Sequence, residues 1–257
     1  MDQPVAPVTN ADGGPSGRRR VSGWVSLFVG GWLLSQMVGA VAFFAIHPLF
    51  VVAGTASGVA AAEVLDDTAL ALTAGTPLLA LALLQAPVWA TQLGVVAVAT
   101  VGRGRSLGRD LRLRWHWSDV PVGIACGIGA QLLVAVAYLL AGVDGDGPAR
   151  QLTSKGAGLA GVLGMLALLA VAAPVVEELL FRGVLQGGLA GRLHPLLALG
   201  ISSVVFAGVH FQPVQFPGLL IAGLVFGGLA LRRDRLGPAI VAHMAFNAFT
   251  VVLLALS

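Results

Sequence analysis

The chain has 257 residues, of which 57% are hydrophobic and 11% charged, with a formal net charge of +3. Water-soluble domains carry about 25% charged residues, so a mean hydropathy of +0.89 excludes an ordinary soluble protein and points to a bilayer. The single cysteine, Cys126, excludes an internal disulfide framework and any multi-cysteine metal site; in its apolar run it reads as a buried structural thiol.

Residues 1–20 contain Pro, Gly and Asp, lack apolar periodicity and close on Arg18-Arg19-Arg20; they read as a disordered, cytoplasmic tail. A basic cluster ahead of an apolar run also opens a signal peptide. The run from Val21 to Ile46 is too long for one and has no convincing cleavage site, so it reads as a retained first span. His47 to Gly75 carries Glu63, Asp66 and Asp67 without Lys or Arg, and Pro48 to Ala62 is apolar enough to lengthen the first helix or lie in the interface. A second span covers Thr76 to Val101. The basic loop Gly102 to Asp119 follows, with Arg103, Arg105, Arg109, Arg112 and Arg114 beside Trp115 and Trp117. Arginine and tryptophan at a span boundary are interfacial anchors, which argues against a nucleic-acid partner.

The third span is Val120 to Gly142, closed by the turn-rich Asp144-Gly145-Asp146-Gly147-Pro148 and a polar loop to Gly156. Four closely spaced apolar segments come next: Ala157 to Gly187, Leu196 to Phe211, Gly218 to Leu231 and Leu236 to Leu256. The fifth and sixth are short for a full crossing, which allows for a tilt or kink. The expected fold is therefore all-α, a polytopic bundle of about seven transmembrane helices. Residues 21–156 form its N-terminal three helices and residues 157–257 a four-helix core. With a cytoplasmic N-terminus, 13 of the 15 basic residues fall inside, leaving Arg150 and Lys155 outside. Seven alternating spans in the plasma membrane then satisfy the positive-inside rule.

Polar side chains inside the core segments stand out, because a charge at the bilayer centre costs several kcal/mol, about 2.5–3.5 on insertion scales. Glu178 and Arg182 are four residues apart and predict an ion pair on one helix face. Glu177 is offset by about 100° and points elsewhere, into a cavity. His210 follows Phe206 by four residues, and His243 precedes Asn247 by four, placing imidazole and carboxamide on one face. Gln36, Gln85, Gln92 and Gln131 are scattered and show no such spacing. Each group alone reads as interhelical glue. Together they suit hydrolysis: Glu and His activate a water, and His and Asn donate to an oxyanion. Glu177, His210 and His243 would also make three zinc ligands with an open fourth position, although no His-Glu-x-x-His motif is present.

Glu177-Glu178-x-x-x-Arg182, Phe206-x-x-x-His210 and His243-x-x-x-Asn247 resemble, in order, the three motifs of the CPBP family of intramembrane proteases. That family includes the CAAX prenyl endopeptidases and bacterial bacteriocin-processing and self-immunity proteins. The resemblance covers Ala157 to Leu256. It implies a multi-helix membrane endopeptidase acting on a membrane-associated protein or peptide, with a cavity inside the bilayer. Glu177, assisted by His210, would activate water; His243 and Asn247 would stabilise the oxyanion; Glu178, Arg182 and Phe206 would support them. The resemblance leaves both a zinc-dependent and a metal-free reaction open. Two readings of other classes share these residues: a transporter or proton-coupled carrier using them as a relay, and a non-catalytic immunity or scaffold protein. No internal repeat of the transporter kind is visible.

Overall fold

A computed structural model describes residues 16–56, 77–100, 108, 111–143 and 159–256. Among these the fold is helical throughout: α1 (Ser16–Ala56), α2 (Pro77–Thr100), α3 (Asp119–Ala141), α4 (Leu159–Ala190), α5 (Pro195–Gly208), α6 (Phe216–Arg233) and α7 (Gly237–Leu256). Five of them, α1 to α4 and α6, are long and apolar enough to cross a membrane, and α5 and α7 are shorter apolar helices. The 14 residues of α5 reach only about 21 Å at 1.5 Å per residue, against a hydrocarbon core of about 30 Å. The expected all-α, seven-helix membrane bundle is borne out, and the chain is a multi-pass membrane protein.

Two boundaries differ from expectation. Helix α1 starts at Ser16, five residues before Val21, because the arginines are good helix formers and Pro15 sits just ahead of the first turn. Helix α5 ends at Gly208, three residues before the expected Phe211, and Phe211 takes a left-handed backbone (φ 53°) that no helix continues through. The expected tail up to residue 15, the acidic stretch 57–76, Arg103, Arg105 and Arg109 of the basic loop, and the turn at residues 144–156 lie outside the described residues.

Interhelical contacts fix the helix directions. Arg182 and Gln186 of α4 bond the carbonyls of Gly223 and Gly227 of α6, so these two run parallel. Gly123 of α3 meets Val241 and Gly127 meets Ala242 and Ala245, so α3 and α7 are also parallel. Gly31 faces Val95 and Gly39 faces Val88, which makes α1 and α2 antiparallel. Gly223 against Ser203 and Gly227 against Leu199 do the same for α5 and α6. Gly218 at the start of α6 meets Tyr138 at the end of α3, and Trp24 and Phe28 of α1 meet Gly188 and Phe181 of α4. Odd and even helices therefore point in opposite directions, as alternating spans must.

Small residues make this packing feasible. Lipid tails are as apolar as leucine, so helices in a bilayer associate through close backbone approach and interhelical bonds. A Cβ on Gly123 would stand 2.6 Å from Val241 Cβ, and one on Gly127 would run into the Ala242 carbonyl. At the opposite side of α3, Gly129 faces open space.

One end of the bundle is tied together by charge. Asp119, buried at the start of α3, accepts from Arg235 at 2.7 Å and from the His116 backbone N–H at 2.8 Å. Arg112 and Arg114 reach Asp234 at 3.3 and 3.2 Å, and the Leu236 N–H donates to the Arg112 carbonyl. The segment 111–118 is thereby fastened beneath the α6–α7 turn, with Leu111 fully buried.

These contacts yield a matched pair of substitutions on one helix. Overpacking costs about 1–3 kcal/mol, so Gly127→Ala should lower the thermal midpoint in detergent, while Gly129→Ala should leave it unchanged or raise it. Equal midpoints would remove the α3–α7 contact from the stability of the bundle.

Candidate active site

Helix α4 is not uniformly α-helical. Leu166–Ala172 and Leu179–Gln186 are π-helical, and between them lies the α-helical stretch Ala173–Glu178. Pro174 explains the first: it has no N–H, and its ring clashes with the carbonyl four residues back, which a widened turn relieves. The Ala173 N–H accordingly bonds Leu168 O, five residues back. Short π segments of this kind gather at functional sites.

The six α-helical residues turn their two glutamates in different directions. Glu178 is fully buried and its Oε1 accepts from Arg182 Nη1 at 2.9 Å, the ion pair that the i,i+4 spacing predicts. Arg182 is 1% exposed; it also donates to the Gly223 carbonyl at 3.2 Å and lies over the Phe206 ring at 4.4 Å. Glu177 keeps 23% of its side chain exposed and lines a cavity. The two carboxylates thus divide between core and cavity, as their offset requires.

His243 connects them. Its Nδ1 lies 2.9 Å from Glu178 Oε1, and its ring stacks on Phe226 with centroids 4.7 Å apart. A carboxylate only accepts, so Nδ1 carries the proton and Nε2 is the nitrogen turned to Glu177. The 3.8 Å between Nε2 and Glu177 Oε2 is too long for a hydrogen bond and short enough for a bridging water. The i,i+4 spacing of Glu178 and Arg182 had explained Glu178 fully; its second partner on α7 has no local signal in the sequence.

His210 lies just beyond the end of α5, within the turn that follows. Its Nδ1 is 2.7 Å from the Phe206 carbonyl, one of the last unpaired acceptors of the helix. A carbonyl cannot donate, so Nδ1 is again protonated and Nε2 keeps its lone pair. Asn247 Nδ2 donates to the Leu169 carbonyl at 2.7 Å, an acceptor in the first π segment, which leaves the carboxamide one N–H to use elsewhere.

Glu177, His210, His243, Asn247 and Phe206 all line one cavity of about 610 Å³. Gln85 of α2 and Gln131 of α3 line it too, although their positions in the sequence suggested no site. Gln131 Oε1 is buried there without a hydrogen-bond partner among the described residues. A signal did exist: Gln131 follows Gly127 by four residues and precedes Tyr138 by seven, which places all three on one face of α3. The zinc set Glu177, His210 and His243 does not fit as the side chains stand. Among the described residues no three His, Cys, Asp or Glu groups are placed so that they could hold a metal ion.

Residues 159–249 match the family model described as type II CAAX prenyl endopeptidase Rce1-like. Over this segment the chain is similar to the CPBP-type proteases that its three motifs resemble. Within it fall Glu177, His210, His243 and Asn247 of the cavity wall and the Glu178–Arg182 pair. The CPBP-type segment is also similar to the Bacillus subtilis (strain 168) protein named "Putative membrane peptidase YdiL", with 30% identity over 89 residues. That stretch is 35% of this chain and 36% of the relative, so the chain spans about a third of the curated protein it matches. No solved structure matches the chain significantly. Helices α1 to α3 lie outside the CPBP-type match, yet α2 and α3 supply Trp89, Gln131 and Tyr138 to the cavity wall.

Breaking a buried pair by removing one partner costs about 3–5 kcal/mol, because the other charge stays buried alone. Arg182→Met should therefore lower the thermal midpoint in detergent well below that of His210→Ala, whose half-buried ring holds no charge partner among the described residues. Similar midpoints for the two variants would show that the ion pair is not holding the core.

Proposed function

We propose that this protein is an intramembrane endopeptidase that hydrolyses a peptide bond of a membrane-associated protein or peptide. The observation that carries the reading is the opposition of Glu177 and His243 Nε2 across 3.8 Å on the wall of a cavity inside the bundle. A water held there meets a carboxylate that is partly exposed and otherwise unused by the ion pair. The CPBP-type match and the printed name of the relative support the same chemistry.

The steps follow from the side-chain inventory. Glu177 takes a proton from the water as the hydroxide oxygen attacks the scissile carbonyl, with His210 offering its Nε2 lone pair to the same water. The carbonyl oxygen becomes an oxyanion and meets donors from His243, in a state where Nε2 carries a proton, and from the second Nδ2 hydrogen of Asn247. Collapse breaks the C–N bond, and the proton held by Glu177 passes to the leaving amine. Donors fixed in a poorly hydrated site stabilise the developing charge more than they would in water. Gln131 adds a buried acceptor suited to a backbone N–H of the bound peptide. Phe206 sits between the reacting groups and the ion pair, packing on His210, His243 and Arg182 at once.

We place the protein in the plasma membrane with its N-terminus in the cytoplasm, because 12 of the 15 basic residues then flank cytoplasmic span ends, with Arg182 buried among the helices and Arg150 and Lys155 outside.

Glu177→Gln and His210→Ala should each reduce cleavage of a reporter peptide by at least about 10²-fold, the usual worth of a positioned acid–base group, with membrane insertion unchanged. Full activity in either would end its role as base. His243→Ala and Asn247→Ala should lower kcat by about 10²–10³-fold with KM nearly constant. An effect confined to KM would make them binding residues instead. Cleavage should also survive a strong chelator; loss that zinc restores would revive the three-ligand site.

A further inference from the structure

The charged end and the cavity lie at opposite ends of the same bundle. Arg112, Arg114 and Arg235 are joined to Asp234 and Asp119 at the end where α3 and α7 begin and α6 finishes. Arg192 follows the end of α4, and Arg18 to Arg20 lie in the first turns of α1, whose Trp24 packs on Gly188 near that end. Every described helix terminus there carries arginine close by in the sequence.

The cavity uses the other termini. From α2 it takes Gln85, in the half nearer the start of that helix; from α3 it takes Tyr138, in the last turn. Gln212 and Gln215 come from the α5–α6 turn, and Thr250 from the second half of α7. Because neighbouring helices alternate in direction, these positions all face away from the arginines. Tyr138 fixes this rim: its hydroxyl donates to the Val214 carbonyl at 2.8 Å and accepts from the Gly218 N–H at 3.2 Å. The cavity therefore runs from Glu177 towards the α5–α6 turn.

Arginine and lysine near span ends stay in the cytoplasm. We propose that the cavity opens towards the extracytoplasmic side and draws its substrate from there: a polypeptide segment at or in the outer leaflet, already carried across or embedded in the membrane. The class of substrate rests on the endopeptidase reading above, while the side on which the cavity opens does not. A peptide that enters from this side passes the carboxamides of Gln212 and Gln215 before it reaches Gln131 and Glu177. These neutral donor–acceptor groups suit an extended backbone.

The test places one cysteine at each end of the full chain in a Cys126→Ser background. Val214→Cys marks the rim and Trp117→Cys, at a side chain 90% exposed, marks the arginine end. In intact cells a membrane-impermeant maleimide should label Val214→Cys at once, and Trp117→Cys only after permeabilisation. The reverse pattern, or labelling of both from one side, overturns the proposal. A second arm uses proteoliposomes whose orientation has been read by the same labelling, with a quenched-fluorescence peptide library tagged with an impermeant dye. Cleavage is expected only when the library is added on the Val214 side. Cleavage from the Trp117 side alone overturns the substrate class. Correct labelling with no cleavage from either side refutes the endopeptidase reading and leaves the sidedness supported.

Discussion

The buried pair of Glu178 and Arg182 is the constraint on which the rest of the bundle depends. Two full charges in an apolar core are tolerable only when their hydrogen-bonding capacity is nearly used up. Arg182 meets that condition with Glu178, the Gly223 carbonyl and the faces of Phe206 and Phe226. These partners lie on α4, α5 and α6, so satisfying one guanidinium sets the register of three helices. Glu178 then reaches α7 through His243. A one-residue slip of any of the four would strand a charge, and that is a stronger bias towards one arrangement than apolar packing between helices in lipid can supply.

In the proposed reaction, the same pair would position the reacting groups without being among them. Holding His243 by Nδ1 fixes which ring nitrogen faces the cavity, much as a second partner orients a catalytic histidine elsewhere. The close approach of α6 to its neighbours needs glycine at 223 and 227: a Cβ at 223 would sit 3.1 Å from Ser203 of α5, and one at 227 would sit 2.6 Å from Gln186 Oε1 of α4. Glycine there exposes the carbonyls that Arg182 and Gln186 bond. Glu178 Oε2 and Gln186 Oε1 nevertheless stay buried without partners among the described residues. The network is incomplete on its inner side, so a conservative change there would be felt through the helices it links.

Much of this was legible in the sequence, for physical reasons. Hydropathy locates spans because a bilayer demands long apolar helices, and each of the last three helices begins within two residues of its expected start. The i,i+4 pairs were legible because helical periodicity maps spacing onto a face. What spacing cannot give is contact between distant segments. The Glu178–His243 bond joins residues 65 apart, and the use of Gln85 and Gln131 depends on how α2 and α3 meet the core. The π segments were partly legible through Pro174. The exit of His210 from α5 was not, because Gly208 and Val209 are compatible with a longer helix and only the left-handed Phe211 ends it.

On the proposed endopeptidase reading, these distinctions would separate chemistry from selectivity along the chain. Every group that would exchange a proton or receive negative charge comes from α4, the end of α5 and α7, within the CPBP-type segment. Much of the wall facing them comes from α2 and α3, outside it, through Leu81, Gln85, Trp89, Gln131 and Tyr138. On that reading, side chains on the wall would touch the parts of a substrate that do not react, and those contacts would decide which peptide is held long enough to be attacked. Gln131 is the most telling of them: an acceptor buried without a partner costs about 1–3 kcal/mol, which a backbone N–H arriving with the substrate would offset. Two chains sharing the catalytic segment but differing in α2 and α3 would thus run the same reaction on different polypeptides.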